Sequence, residues 1–266
     1  MSTQRYISKE LTHFIGRSLA SDEERYGLLK HILESGELQN PRRESGTPSS
    51  ILAAGSALGF AGNYAIRDGG KLSDDDLYFL TTVCFCDIPA EDFTIHMSKY
   101  GRVGIAFDKV FLINCGTRPV CYVPKGTRPA PFVFYSDSSS TAELFDRMVP
   151  QIIAQYGSEI KGLALGPLSK QMGRFNPRSP TREQASLMKG IQELSFLLSE
   201  VFGFIKFYDA ATVETDPANF YMEREWRCLT NIRFSLSDVS RIVLPTSLEE
   251  RFRADFAEYR GEILKI

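Results

Sequence analysis

Two glutamates and an arginine stand close together in one short segment, Phe220–Leu229 (FYMEREWRCL). Its aromatic residues and the Asp-Pro turn before it predict a β-strand. Side chains alternate along a strand, so Glu223, Glu225 and Arg227 are expected to share one face. On the wall of a cleft, one carboxylate could stabilise a developing cation while the other orients a nucleophile. The same pattern also fits a strand whose charged, salt-bridged face is ordinary protein surface.

The composition is that of an ordinary globular protein, with 43% hydrophobic and 24% charged residues in a chain of 266. One domain over residues 1–266 is the simplest expectation. The formal net charge of −2 gives no overall attraction to nucleic acid, so nucleic-acid binding would need a local basic patch. The sequence shows no apolar run of bilayer length and no basic-then-apolar leader, which predicts a cytoplasmic protein with no membrane partner.

The five cysteines are an odd number in a chain of this length, which favours reduced thiols over a disulfide framework. Cys84 and Cys86 lie two positions apart on a predicted strand. Because no second pair repeats that spacing, we expect buried thiols here and no metal site.

The first predicted unit is a strand over Tyr6–Ile15 followed by a helix. Ser21 and Glu24 have the spacing of a capping box, and Gly36 ends the apolar stripe of the helix. His13 stands near the end of the strand. A histidine in that position is usually a packing residue, but it could also present an imidazole to a cleft.

Further strands and helices follow without a regular alternation. Predicted strands are Thr81–Ile88, Val103–Phe107, Pro119–Val123, an edge strand at 128–135, Phe204–Tyr208 and Arg241–Leu244; predicted helices are Ala90–Tyr100, Ala142–Tyr156, Thr181–Phe202 and one capped by Ser247. This order indicates an α+β fold in one domain, with a mixed or antiparallel sheet.

Two segments are predicted to be loops. Residues 39–76 form a loop insertion rich in turn-forming and small residues. Residues 161–182 form a basic loop that carries Lys170, Arg174 and Arg178 and no acidic residue. Such a loop is either solvated surface or a phosphate-contacting segment for nucleic acid or a dinucleotide.

Several segments together resemble the AbiGi family of bacterial abortive-infection (phage-resistance) proteins across roughly the whole chain. They are YISKELTHFIGRSL, LLKHILESGEL, VCFCDIP, HMSKYG, GIAFDKVFL, RPVCYV and FYMEREWR. That family is named as an antitoxin component, so the resemblance implies a partner toxin encoded by a neighbouring gene.

The same order of motifs is similar to the ADP-ribosyltransferase fold, in particular to DarT-like enzymes that modify nucleic acid. The matching features are His13 on the first strand, the turn Ile32–Gly36, the aromatic strand with Phe85, and Glu225 before Trp226. This resemblance implies an ADP-ribosyltransferase-like split sheet and NAD as substrate. Cleavage of the nicotinamide–ribose bond develops an oxocarbenium-like cation.

The transferase resemblance assigns a role to each candidate residue. Glu225 would stabilise the cation, and Glu223 would orient or deprotonate the acceptor. His13 would hydrogen-bond the adenosine-side ribose and Arg17 would pair with the pyrophosphate. Either Phe85 or Tyr100 would stack on the nicotinamide. The basic residues Lys170, Arg174 and Arg178 would contact an RNA or DNA acceptor such as mRNA, while protein acceptors remain open.

Three hypotheses follow from the sequence. In the first, the chain is an NAD-dependent mono-ADP-ribosyltransferase, the toxin of an anti-phage system, and is held in check by a cognate antitoxin. In the second, it is an AbiGi-type antitoxin that sequesters a toxin. In the third, the Glu-x-Glu segment is only structural. The transferase hypothesis requires that His13 and Glu225 meet across one pocket large enough for a dinucleotide.

Overall fold

The structure is a computed structural model that describes residues 8–40, 64–66, 70–127, 139–164, 181–213, 215–216 and 219–266. The predicted edge strand at 128–135 lies outside the described residues. So do Lys170, Arg174 and Arg178 of the predicted basic loop, and most of the predicted insertion at 39–76.

The described residues form helices and short strands that mix along the chain. The α-helices are α1 Asp22–Ser35, α2 Thr94–Tyr100, α3 Lys109–Asn114, α4 Thr141–Ala164, α5 Arg182–Phe196 and α6 Glu249–Asp255. The strands are β1 Glu10–Phe14, β2 Glu37–Leu38, β3 Tyr64–Ile66, β4 Tyr78–Leu80, β5 Val83–Cys86, β6 Gly104–Asp108, β7 Arg118–Pro119, β8 Cys121–Pro124, β9 Ile205–Tyr208, β10 Glu225–Cys228, β11 Ile232–Arg233, β12 Val239–Leu244 and β13 Glu262–Lys265.

The largest sheet has seven strands in the order β13-β12-β6-β1-β5-β10-β7. Its pairings are antiparallel except for β12 with β13, which run parallel. Helices and strands are interspersed without a repeated βαβ unit. The predicted α+β class with a mixed sheet is therefore confirmed, and none of these pairings is specific to an ADP-ribosyltransferase.

Backbone contacts group the chain into two compact units. The first comprises residues 1–41, 82–120 and 211–266, and the second comprises residues 42–81 and 121–210. The single domain expected over residues 1–266 stays a prediction.

The second unit contains the β3–β4 hairpin, the parallel pair β8–β9 and the helices α4 and α5. The backbone N–H of Ser73 donates to Asp146 of α4 at 2.9 Å, and the Ser73 hydroxyl donates to the same carboxylate at 2.6 Å. Phe145 packs edge-on against Phe202 and Phe207. The two hydrogen bonds of Ser73 join a short 3-10 turn, Leu72–Asp74, to α4.

The register of the seven-stranded sheet determines which side chains share a face. Thr12 is aligned with Cys86, and Cys86 is aligned with Glu225. Residues aligned across neighbouring strands point to the same side, whereas residues adjacent in one strand point to opposite sides. Thr12, Cys86 and Glu225 therefore lie on one face, which we call the α2 face.

The opposite face, which we call the α1 face, carries His13 and most of the core. Phe85 is aligned with Trp226 on this face, and the His13 and Phe85 rings lie 5.8 Å apart. Apolar side chains of α1, α3 and α6 pack onto the face and are fully or almost fully buried. Among them are Tyr26 and Leu29 of α1, Leu112 of α3 and Phe252 of α6.

Helix α1 is formed as its sequence predicts. The Ser21 hydroxyl accepts a hydrogen bond from the backbone N–H of Glu24, and the Glu24 carboxylate accepts one from that of Ser21, which completes the capping box. Gly36 ends the helix with φ of 63°, in the left-handed region. Both predicted helix termini are confirmed.

The predicted strand Phe220–Leu229 is wrong in its first half. Phe220–Glu223 form a 3-10 turn, and the backbone N–H of Arg224 donates to the carbonyl of Tyr221. Arg224 then adopts φ of 43°, and the strand begins only at Glu225. The segment forms local hydrogen bonds instead of strand pairs, because the residues before Glu225 have no strand partner among the described residues. The simple alternation that placed Glu223 and Glu225 on one strand face is lost.

The structure differs from three other local predictions. The predicted strand Pro119–Val123 is two short strands in different sheets, since β7 pairs with β10 and β8 pairs with β9. The carboxylate of Asp108 accepts from the N–H of Val110 and starts a helix, α3, that the sequence did not indicate. Ser247 lies in a 3-10 turn, and α6 follows it without a side-chain cap.

Replacing Gly36 with alanine is expected to lower the free energy of unfolding by about 1–2 kcal/mol, because the left-handed backbone is costly for a residue with a Cβ. A Cβ there would also lie 2.8 Å from the carbonyl oxygen of Phe234. Urea denaturation of both proteins measures the change.

Gly27→Ala in the same helix is the matched control. A Cβ at Gly27 meets nothing within 4 Å, so the higher helix propensity of alanine should raise stability by roughly 0.5–1 kcal/mol. Destabilisation of equal size by both substitutions would contradict this account of the helix terminus.

Candidate functional site

A buried ion pair lies at the start of β10. Glu225 and Arg227 are two positions apart on one strand, so both point to the α2 face. Nε of Arg227 donates to Oε1 of Glu225 at 2.8 Å, and Nη2 donates to Oε2 at 3.2 Å. The two side chains are only 9% and 10% exposed. This two-pronged geometry satisfies both carboxylate oxygens.

Glu223 is buried as well, but by residues of α2. The phenol of Tyr100 donates to Oε1 of Glu223 at 2.6 Å, and the ammonium of Lys99 donates to the same oxygen. The turn at Arg224, with its positive φ, separates Glu223 from β10. Glu223, which was predicted to lie on the strand, is thus bound by a helix that comes more than a hundred residues earlier in the chain.

Tyr100 contacts positive and negative groups at once. The guanidinium of Arg17 and the ammonium of Lys99 each lie 5.3 Å from the centre of its ring, the geometry of cation–π contacts. Burial raises the pKa of the Tyr100 phenol, and the charges of Glu223 and then Glu225 raise it further. The phenol therefore remains protonated and acts as a hydrogen-bond donor.

His96 lies one helical turn before Tyr100, and their rings are 5.9 Å apart, as their spacing predicts. It is 5% exposed. Burial lowers the pKa of His96, and the charge of Glu223 opposes this shift only partly. Its Nε2 has no hydrogen-bond partner among the residues that the structure describes. The imidazole is accordingly neutral and packed against Phe14, whose ring lies 6.3 Å away.

We call this group the α2-face charge cluster; its members are Arg17, Lys99, Tyr100, Glu223, Glu225 and Arg227. The two carboxylates are matched by three cations and by the Tyr100 phenol. Buried charges persist only when they are paired in this way, because desolvation of an unpaired charge costs several kcal/mol. The arrangement holds the turn before β10 against α2.

The structure brings together four of the six residues that the transferase resemblance assigns to catalysis or NAD binding. Glu225, Glu223, Tyr100 and Arg17 belong to the α2-face charge cluster. His13 and Phe85 lie on the α1 face, across the thickness of the sheet from Glu225. The roles that the resemblance assigns to these six residues, and NAD as the substrate, stay predictions.

Lys99 is the member of the cluster that sequence reasoning missed. It stands beside Tyr100 in the HMSKYG segment, but its partner Glu223 is 124 positions away in the chain. No spacing rule connects such residues. The only available signal was that both belong to segments carrying the AbiGi resemblance.

A second partly buried ion pair links three of those segments on the α1 face. Nζ of Lys109 lies 2.9 Å from Oδ2 of Asp87 and 5.4 Å from the centre of the Trp226 ring. Asp87 also accepts a hydrogen bond from the backbone N–H of Ser8. The segments VCFCDIP, GIAFDKVFL and FYMEREWR thus meet in space within the first unit.

The cysteines, all within the described residues, are free. Burial raises the pKa of the Cys86 thiol to about 12, which keeps this thiol protonated and unreactive.

Within the described ranges, no three histidine, cysteine or acidic side chains are grouped so that they could hold a metal ion. In that same part of the chain, no helix has the length and apolarity needed to cross a membrane.

A comparison with protein families matches residues 80–260 to the family described as abortive phage resistance protein AbiGi, antitoxin. The chain belongs to the AbiGi family. The match includes α2, β5, β6 and β10, and hence most of the α2-face charge cluster. Searches of curated proteins and of solved structures return no significant match. The DarT-like resemblance of this AbiGi protein consequently has no support from a relative and stays a prediction.

The buried pair predicts strong energetic coupling between Glu225 and Arg227. Arg227→Met alone should lower the free energy of unfolding by about 3–5 kcal/mol, because it leaves a buried carboxylate without its partner. In a double-mutant cycle with Glu225→Gln, measured by urea denaturation, the coupling energy should be about 1–3 kcal/mol.

The exposed pair Lys189–Glu193 is the control for this cycle. Its side chains are 76% and 47% exposed, so the corresponding cycle should show little coupling because water screens both charges. Additive effects of Glu225→Gln and Arg227→Met would contradict the assignment of a buried, closed ion pair.

Proposed function

We propose that this protein is the antitoxin of an abortive-infection system and acts by binding and neutralising a toxin protein. The observation that carries the proposal is the family match over residues 80–260, whose description names an antitoxin. The matched region includes most of the first unit, with the ion pairs Glu225–Arg227, Lys99–Glu223 and Asp87–Lys109. A binding role requires a stable, specific surface rather than a reactive centre, and a paired, buried charge cluster supplies structural specificity.

The hydrogen bonding and burial of the Glu223 and Glu225 carboxylates support a binding role over a catalytic one. Glu225 accepts two hydrogen bonds from Arg227, and Glu223 accepts from Lys99 and Tyr100. A carboxylate that stabilises a cationic transition state must face its substrate. Here both carboxylates face protein groups and are less than 10% exposed.

Expression together with the protein encoded by the neighbouring gene tests the proposal. We expect the neighbouring protein alone to arrest growth, the present chain alone to be harmless, and the two together to restore growth and to purify as one complex. Growth arrest by the present chain alone, or failure to rescue, would refute the antitoxin role.

A second candidate function is NAD-dependent mono-ADP-ribosyl transfer to RNA or DNA, with the chain as the toxin. The observation in its favour is that Glu223, Glu225, Tyr100 and Arg17 gather on one sheet face. The position of His13 on the other face counts against it, because the resemblance implies that the ribose contact and the catalytic acid share one pocket.

Glu225→Gln separates this candidate from the first. A transferase would release nicotinamide from NAD and label RNA, DNA or protein from a cell extract, and the variant would lose both activities. Glu250→Gln, an exposed carboxylate in the first turn of α6, is the control and should change neither. Circular dichroism checks that both variants are folded. If the wild-type protein releases no nicotinamide, the transferase candidate is excluded.

A further inference from the structure

A cavity of about 280 Å³ lies in the first unit, beside α1 and the ends of β1 and β5. The two strands pair at Thr12 and Cys86. Its walls are mainly apolar and include Ile15, Leu28, Ile32, Leu38 and Val83. The polar residues that line it are His13, His31, Ser35, Glu37, Gln39 and Thr82. Neither β10 nor the α2-face charge cluster contributes to it, so this is a separate site.

His13 lines this cavity, and its hydrogen bond to β5 fixes the tautomer of its ring. Its Nδ1 lies 2.7 Å from the carbonyl oxygen of Cys84. A carbonyl can only accept, so Nδ1 carries the proton and donates, and Nε2 carries the lone pair. Nε2 has no partner among the residues that the structure describes. Burial lowers the pKa of His13 more than the hydrogen bond to Cys84 raises it, so the ring is neutral near pH 7.

The shape and chemistry of the cavity define its ligand. Pockets that hold drug-sized molecules span roughly 300–1,000 Å³, so about 280 Å³ is too small for a dinucleotide. It suits one large side chain. Because the walls are apolar, the ligand must have an apolar body. Because Nε2 of His13 carries a lone pair, the ligand must also have one O–H or N–H donor. Tyrosine and tryptophan combine these properties, and they are the residues most often found as anchors at the centres of protein interfaces.

We propose that this cavity is the anchoring pocket for one tyrosine or tryptophan side chain of the partner toxin, whose O–H or N–H donates to Nε2 of His13. The inference rests on the proposed antitoxin function. Leu28 of α1 lines the cavity and is 38% exposed, which places it where a partner could reach it. One face of α1, with Leu28, His31, Ile32 and Ser35 at helical spacing, would then lie against the partner.

Small-molecule probes test the chemistry of the pocket without the toxin. We expect p-cresol, which mimics a tyrosine side chain, to bind the isolated protein about five-fold to ten-fold more tightly than its methyl ether 4-methylanisole, the fold-change that corresponds to one hydrogen bond. Ligand-detected NMR measures both affinities. Equal affinities for the two probes, or binding of neither, would overturn the proposal.

The pH dependence identifies His13 as the acceptor. Below the lowered pKa of His13, Nε2 becomes protonated and can no longer accept, so the preference for p-cresol should disappear as the pH falls well below the ordinary histidine value of 6.5. His13→Phe should abolish the preference at every pH. A preference that persists in His13→Phe would show that another group makes the contact.

A substitution that blocks the pocket tests whether the toxin occupies it. Leu28→Trp adds a bulky ring at a partly exposed position and should weaken binding of the toxin at least ten-fold while the protein stays folded. Val110→Trp is the matched control, because Val110 is 64% exposed on α3 and away from the cavity; it should bind the toxin as the wild type does. Isothermal titration calorimetry and growth rescue measure both.

The possible failures are distinguishable. If the wild-type protein does not neutralise the toxin, the antitoxin function is refuted. If the wild type and Leu28→Trp neutralise it equally, the function stands and the anchoring pocket is refuted. If Leu28→Trp instead dissociates a dimer of the isolated protein, the occupant is a second copy of the chain and the proposed occupant is wrong.

Discussion

The alternation of side chains across β1, β5 and β10 is the constraint on which the arrangement of both sites depends. Thr12, Cys86 and Glu225 are aligned, so His13 necessarily points to the other side of the sheet from Glu225. A shift of one residue would exchange the faces of a whole strand. The register cannot shift, because the α1 face buries Leu11, Phe85 and the other large apolar side chains of the core.

The α2-face charge cluster consists of charged side chains that are buried together with their partners. Taking each charge out of water is costly, and a buried ion pair adds little net stability over apolar residues of similar size. Such pairs are best explained by the structural specificity that they give to the fold. Glu223 and Glu225 fix the turn before β10 to α2 and to Arg227, which makes the position of that turn unique.

Several features were predictable because their causes are local or compositional. The capping box at Ser21 and Glu24 and the glycine end at Gly36 depend on neighbours within one helical turn, and the structure confirms both. The α+β class followed from the order of elements. The AbiGi assignment was predictable because its segments are themselves stretches of sequence. The 3-10 turn at Phe220–Glu223 was not predictable, because it depends on which segments pair in the sheet, and the segment before Glu225 has no strand partner among the described residues.

The sequence by itself therefore determined the family, the fold class and the residue types available for chemistry. Only the tertiary structure decided which of those residues meet. The partners Lys99 and Glu223, separated by 124 positions, and the opposite orientations of His13 and Glu225 follow from strand order and register. Those arise from the packing of the whole core, because the free energy of burying apolar surface is shared among contacts far apart in the chain.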